Sequence, residues 1–188
     1  CGVDSDRAAT GTAGYDPPDL FDRCIRACAS VGAHLAGTGG VATGSGFVVD
    51  DGRHLVTAAH VVWSGGAVAD RVEVILPDAG GAYTSLDASV VGIDLRGDIA
   101  VLRLPSPASD WLEFRPESDH IRTGERVAAI GDPYGVDPHS FSQGVVRDGQ
   151  WKDPSGAMCL TGITTDASTG PGSSGSPLLD RRGLVVGM

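Results

Sequence analysis

Three polar side chains stand in segments whose composition suits acyl-transfer chemistry: His60, Asp98 and Ser174. Ser174 lies in Asp166-Ala167-Ser168-Thr169-Gly170-Pro171-Gly172-Ser173-Ser174-Gly175-Ser176-Pro177. Gly172 and Gly175 carry no Cβ, so the backbone there can take unusual dihedrals and present bare N–H groups. Paired N–H groups are what a developing oxyanion needs. A hydroxyl is a poor nucleophile until a base takes its proton. His60, in Val56-Thr57-Ala58-Ala59-His60-Val61-Val62, stands in a small-residue turn after a strand pattern, where it would serve as general base and then as general acid. His34, His54, His120 and His139 have no such setting. Asp98 precedes Ile99-Ala100-Val101-Leu102, a buried-strand pattern, and would hold the imidazole tautomer and stabilise the imidazolium. Asp94 is its rival, but no such strand follows it directly, and it reads as a solvated turn residue.

The elements that must position these groups read as short strands. The spacing predicts strands at 29–36, 46–50, 54–57, 72–77, 89–93 and 99–104, with Asp51-Gly52 as a hairpin turn. Pro105-Ser106-Pro107 breaks that set, a linker follows, and strands are predicted again at 126–130, 140–147, 157–164, 176–179 and 184–186. The expected fold is all-β: two antiparallel barrels, the first over about 28–105, a linker over about 106–122, and a second over about 123–188 that is incomplete at its C-terminus, with five strands where six are needed. Residues 1–18, ending in Pro17-Pro18, read as a flexible tail, and 19–188 as one domain. Leu20–Arg26 has helical spacing. Gly37–Gly44 is glycine-rich but lacks the basic residue and helix of a phosphate loop.

The chain order His, Asp, Ser separates this arrangement from the subtilisin and α/β-hydrolase orders. With it, the chain resembles the trypsin/chymotrypsin-fold serine proteases, and within them the bacterial HtrA/Deg-type enzymes. Four blocks carry the resemblance: Gly44–Val49 with Thr57–Val62, Asp98–Leu102, Gly131-Asp132-Pro133-Tyr134-Gly135 with Gly144-Val145-Val146, and Thr165–Leu179. It implies two six-stranded barrels, a serine endopeptidase acting through His60, Asp98 and Ser174, and an oxyanion hole formed by the N–H groups of Gly172 and Ser174. It also implies that Ser168, six residues before the nucleophile, floors the pocket for the side chain before the cut. Ser168 is neutral and Asp166 stands two positions too early, which points to small or medium apolar residues at the cleavage site. Ser176 falls where the family usually has a second glycine, and Val61 where many animal members have a cysteine. The competing reading is a catalytically silent binding or scaffold module on the same fold. An esterase is disfavoured by the lack of a Gly-X-Ser-X-Gly elbow.

Composition narrows the partners. An apolar fraction of 41% and a charged fraction of 20% are those of a globular chain. A net charge of −10, with Lys152 the only lysine, argues against nucleic acid or an anionic membrane surface. No apolar run approaches the ~18 residues of a membrane helix. The expected partner is a peptide or unfolded protein; relatives of this type often form homo-oligomers. No metal or cofactor is expected: the Cys24/Cys28 spacing has no second ligand pair, and buried thiols or one disulfide are the better account of Cys24, Cys28 and Cys159. Cys1-Gly2-Val3-Asp4-Ser5 admits two readings, the mature end of a lipoprotein anchored through Cys1 or a cut edge with an incidental cysteine. The expected location is extracytoplasmic.

Overall fold

The computed structural model describes residues 14–35, 39–78, 80, 82–117, 119–132, 140–152 and 161–188. Cys1, Cys159, His139, the 133–138 loop and the start of the strand expected at 157 lie outside them.

Six strands close the first barrel: β1 (Cys28–His34), β2 (Val41–Val49), β3 (His54–Ala58), β6 (Arg71–Pro77), β7 (Tyr83–Asp94) and β8 (Ile99–Arg103), hydrogen-bonded in the order β1-β2-β3-β8-β7-β6. All of its pairings are antiparallel. The alternating apolar positions that announced these strands fill the interior: Val31, Ala33, Val48, Leu55, Val74, Ala100 and Leu102 are all buried there. Between β3 and β6 the chain makes a short helix, α2 (Ala59–Val62), and a two-stranded hairpin, β4 (Trp63–Ser64) with β5 (Ala67–Val68). The sequence reading missed this hairpin. Its signal is Gly65-Gly66, both at positive φ, a two-residue turn that matches strand twist.

The second sheet has five strands, β9 (Arg126–Gly131), β10 (Ser140–Lys152), β11 (Thr161–Thr165), β12 (Leu178–Asp180) and β13 (Val185–Gly187), in the order β11-β10-β9-β12-β13. Among the described residues it remains open, as an incomplete barrel.

Strand β2 joins the two halves. Successive side chains of a strand point to opposite faces. Val48 enters the barrel interior, while Phe47 and Val49 bury outward against Ile130, Leu179 and Val185 of the second sheet. Both faces are covered, so Gly44 to Val49 are buried without alternation. The linker is pinned rather than loose. Leu112 N–H donates to the Val48 carbonyl, Arg115 N–H to the Val185 carbonyl, and Val185 N–H to the Glu113 carbonyl.

Pro17 and Pro18 do not end a tail. They open helix α1 (Pro17–Cys24), where Asp16 Oδ1 accepts from Asp19 N–H at 3.2 Å. Proline suits the first helical turn because its missing N–H would have no partner there, and Asp is a favoured cap. Leu20 and Cys24, four apart, bury against the core between the two sheets. Cys28 Sγ donates to the Cys24 carbonyl at 3.3 Å, and burial pushes the Cys24 thiol up to about 11.

An ion-pair network fastens the linker to the second sheet. Arg115 Nη1 lies 2.8 Å from Glu125 and 3.7 Å from the buried Asp180, and Arg182 Nη2 bridges Asp180 and Asp119 at 2.7 and 2.6 Å. The Arg115 hydrogen bond holds the Glu125 carboxyl below its ordinary range, and the hydrogen bonds from Arg182 and then Arg115 do the same for Asp119. A folded-state pKa below the unfolded value means that protons bind the unfolded chain more readily. The stabilisation is therefore complete above the ordinary carboxylate range of about 4 and is lost as pH falls through the depressed values. Urea midpoints measured from about pH 6 down to about pH 3 should fall. In Arg115→Leu the midpoint should start lower and the fall should be shallower.

Candidate active site

Strand β3 ends in the small residues Thr57 and Ala58, and helix α2 begins at once. The first amides of a helix have no intrahelical acceptor. Asp98 supplies acceptors for two of them: Ala59 N–H donates to the Asp98 carbonyl at 3.0 Å and His60 N–H to Asp98 Oδ1 at 2.9 Å. The other carboxylate oxygen, Oδ2, lies 2.7 Å from His60 Nδ1. Pairing of β3 with β8, with Ala58 opposite Ile99, brings Asp98 to this position. Asp98 has φ +55°, a left-handed conformation that Asp tolerates better than most residues. A carboxylate only accepts, so Nδ1 carries the hydrogen and the neutral ring keeps its lone pair on Nε2. The His60 side chain is 57% exposed, which leaves Nε2 open to a reacting group. Asp94, the rival carboxylate, accepts from Arg96 N–H within its own turn.

The serine loop is folded so that its acceptors are spent. Three successive carbonyls are engaged: Gly172 by Ser45 Oγ at 2.8 Å, Ser173 by Ser176 N–H at 2.9 Å, and Ser174 by Ser45 N–H at 2.8 Å. Across a trans peptide the C=O and N–H point in opposite directions. Anchoring the Ser173 carbonyl on Ser176 therefore turns Ser174 N–H the other way. Among the described residues, neither Gly172 N–H nor Ser174 N–H donates to an acceptor. Gly172 and Gly175 have φ +96° and +90°, which glycine alone adopts without strain.

The loop packs onto the strand that leads to His60. A Cβ on Gly175 would overlap the Ser45 carbonyl and crowd Thr57 Oγ1 and Ala58 N. Gly44 leaves the space between the Val61 side chain and the Ser174 carbonyl. Ser174 is thus brought beside the histidine segment, and Asp98 is bonded to it. Among the described residues, no hydrogen bond joins Ser174 Oγ to the ring.

Ser168 is exposed and follows the buried Ala167. Asp166 turns away to β10, where its carboxylate accepts from Val145 N–H at 2.7 Å and from Arg147 at 3.3 Å. The Val145 hydrogen bond, aided by the Arg147 charge, holds that carboxyl below its ordinary range. A cavity of about 480 Å³ beside Phe47, Phe114 and Val185, and one of about 410 Å³ beside Tyr15, Arg126 and Arg181, are lined by none of His60, Asp98 and Ser174. The candidate chemistry sits outside both.

The family model of the trypsin-like peptidase domain matches residues 44–188, which hold all three of these side chains. The chain belongs to that family. Its relatives place it among the HtrA/Deg-type members of the trypsin-like fold. Protease Do-like 1, chloroplastic, of Arabidopsis thaliana is 39% identical over 156 residues, covering 78% of this chain and 32% of the relative. A probable periplasmic serine endoprotease, DegP-like, of Ectopseudomonas mendocina (strain ymp) is 36% identical over 145 residues, covering 77% of this chain and 28% of the relative. The chain thus spans about a third of the length of these curated relatives. The crystal structure of Deg5 superposes with a TM-score of 0.74 at 31% identity, covering 91% of this chain and 82% of that one. The HtrA-type protease AlgW with tripeptide superposes at 0.77 and 28% identity, covering 93% of this chain and 54% of the other.

One departure from this family's usual pattern has a physical account. Ser176, where a glycine is usual, is buried with its hydroxyl against Gly131, and a Cβ on Gly131 would overlap that oxygen. The hydroxyl therefore faces Gly131, at the end of β9. It has no hydrogen-bond partner among the described residues. A buried unpaired hydroxyl costs about 1–3 kcal/mol. Ser176→Ala should therefore stabilise the HtrA/Deg-type domain by about 1 kcal/mol, read as a raised urea midpoint at unchanged slope.

Proposed function

We propose that this domain is a serine endopeptidase. Ser174 Oγ attacks the scissile carbonyl as His60 Nε2 takes its proton. The new C–O bond places negative charge on the carbonyl oxygen, which the N–H groups of Gly172 and Ser174 receive. His60 then gives its proton to the leaving amine, the C–N bond breaks, and an acyl-enzyme remains on Ser174. Water, deprotonated by His60, hydrolyses that ester. Asp98 holds the ring and stabilises the imidazolium. The observation that carries this reading is the three-atom grip of Asp98 on the histidine segment, with Oδ2 at 2.7 Å from Nδ1.

The substrate is a peptide or an unfolded protein cut after small or medium apolar residues. The neutral, exposed Ser168 and the commitment of Asp166 to β10 support that preference. An extracytoplasmic location fits the periplasmic relative, though a chloroplast relative matches as well. Homo-oligomers fit the HtrA/Deg type. Cys1, the residue a lipid anchor would use, lies outside the described residues.

The test is intact-mass analysis after treatment with an organophosphonate probe. One adduct per chain, mapped to Ser174 and absent from Ser174→Ala, is the expected result. No adduct on a folded chain would overturn the reading.

A further inference from the structure

We propose that Ser45 is the positioning residue that holds the serine loop in its anion-receiving form. The inference rests on the reading of Gly172 and Ser174 as oxyanion donors, and it concerns a residue 127 positions away from Gly172 in sequence. Ser45 is fully buried on β2 and uses every polar atom it has. Its N–H donates to the Ser174 carbonyl and its Oγ to the Gly172 carbonyl, both at 2.8 Å. Its own carbonyl accepts from Thr57 Oγ1 at 2.7 Å.

The hydroxyl's direction is determined as well. A serine hydroxyl has one proton and two lone pairs. Asp132 N–H donates to Ser45 Oγ at 2.9 Å, which occupies a lone pair and leaves the proton for Gly172. Asp132 is held in turn by Ser30 Oγ, from β1, at 2.6 Å. A chain of hydrogen bonds thus runs from the first barrel through Asp132 and Ser45 to both donor-bearing residues. Without the hydroxyl, Gly172 keeps its positive φ but loses the bond that sets its carbonyl. Glycine resists rotation least of all residues, so the 172–173 peptide is the part expected to turn.

Two readouts test this on the 188-residue chain. The first is hydrogen exchange at Ser173 and Ser176, whose amides are bonded within the loop. The second is phosphonate labelling of Ser174, resolved into its maximal rate and its half-saturating concentration. Ser45→Ala should raise loop exchange at least about tenfold and lower the maximal labelling rate by about 10–100-fold, less than outright loss of an oxyanion donor. Half-saturation should change by less than about twofold, because ground-state binding does not use the oxyanion. Ser45→Cys, a weak donor, should fall between. Val74→Ala, a cavity in the barrel interior, is the comparison for stability alone and should leave both readouts near the parent values. Unchanged loop exchange in Ser45→Ala, or a labelling loss matched by Val74→Ala, would overturn the proposal. A parent chain that fails to label would sink the serine-nucleophile reading instead, and the exchange comparison would still decide for or against Ser45.

Discussion

Ser174→Ala is expected to lower peptide hydrolysis by about 10⁶-fold, and His60→Ala by a similar factor. The two effects should not add. Once either group is gone the proton transfer that couples them is gone too, and the double variant should be no slower than each single one. Residual hydrolysis of about 10³–10⁴ over water would report what the oxyanion donors and binding supply without the nucleophile. Rates on a cleavable peptide for the three variants make the check. A double variant slower than both singles by a further large factor would mean that the two residues act separately. Folding should be unaffected by Ser174→Ala, because Ser174 Oγ has no hydrogen-bond partner among the described residues and the loop is held through carbonyls.

The second large effect is that of Asp98→Asn, about 10⁴-fold in kcat. Asparagine is a discriminating replacement here. It tolerates the left-handed φ of +55°, so the turn between β7 and β8 should persist. Its amide oxygen can still accept from His60 N–H, as Oδ1 does now at 2.9 Å. Its NH2 would then face His60 Nδ1, where Oδ2 lies at 2.7 Å. Two donors cannot share that contact, so the ring must place its hydrogen on Nε2 and offer Ser174 no lone pair. The melting temperature should stay close to that of the parent while kcat collapses. Asp98→Ala should lose both, since the amides of α2 would also be left without their acceptor.

Much of this was legible in the chain because it is local. Val72–Pro77 and Ile99–Leu104 alternate or run apolar between turn residues, and each became a strand within one or two residues of its expected bounds. The small residues, the buried strand and the glycines around them are what point to His60, Asp98 and Ser174 as candidates. What escaped was set by partners far away in sequence or by capping chemistry. Tyr83–Ala88 became the first half of β7 because it pairs with Val72–Pro77, although Tyr83, Thr84, Ser85 and Asp87 are exposed and only Leu86 and Ala88 pack on the core. Pro17-Pro18 read as a break when the cap at Asp16 made it a beginning. Ser45 looked like one more small residue between Gly44 and Gly46. Its bond to Gly172 spans 127 residues, and no window of sequence contains both ends.

Contacts between distant residues form late, because the loop they close must first be made and ordered. A growing chain presents His60 and Asp98 long before the ribosome reaches Gly172. The His60 ring and the Asp98 carboxylate can pair through β3 and β8 before Ser174 has been added. The segment that carries Ser174 has bonds of its own, Ser173 N–H to the Gly170 carbonyl and Ser176 N–H to the Ser173 carbonyl, and its bonds to Ser45 can form only once it has been added. On the proposed reading, peptide-cutting competence would arrive only with that last segment.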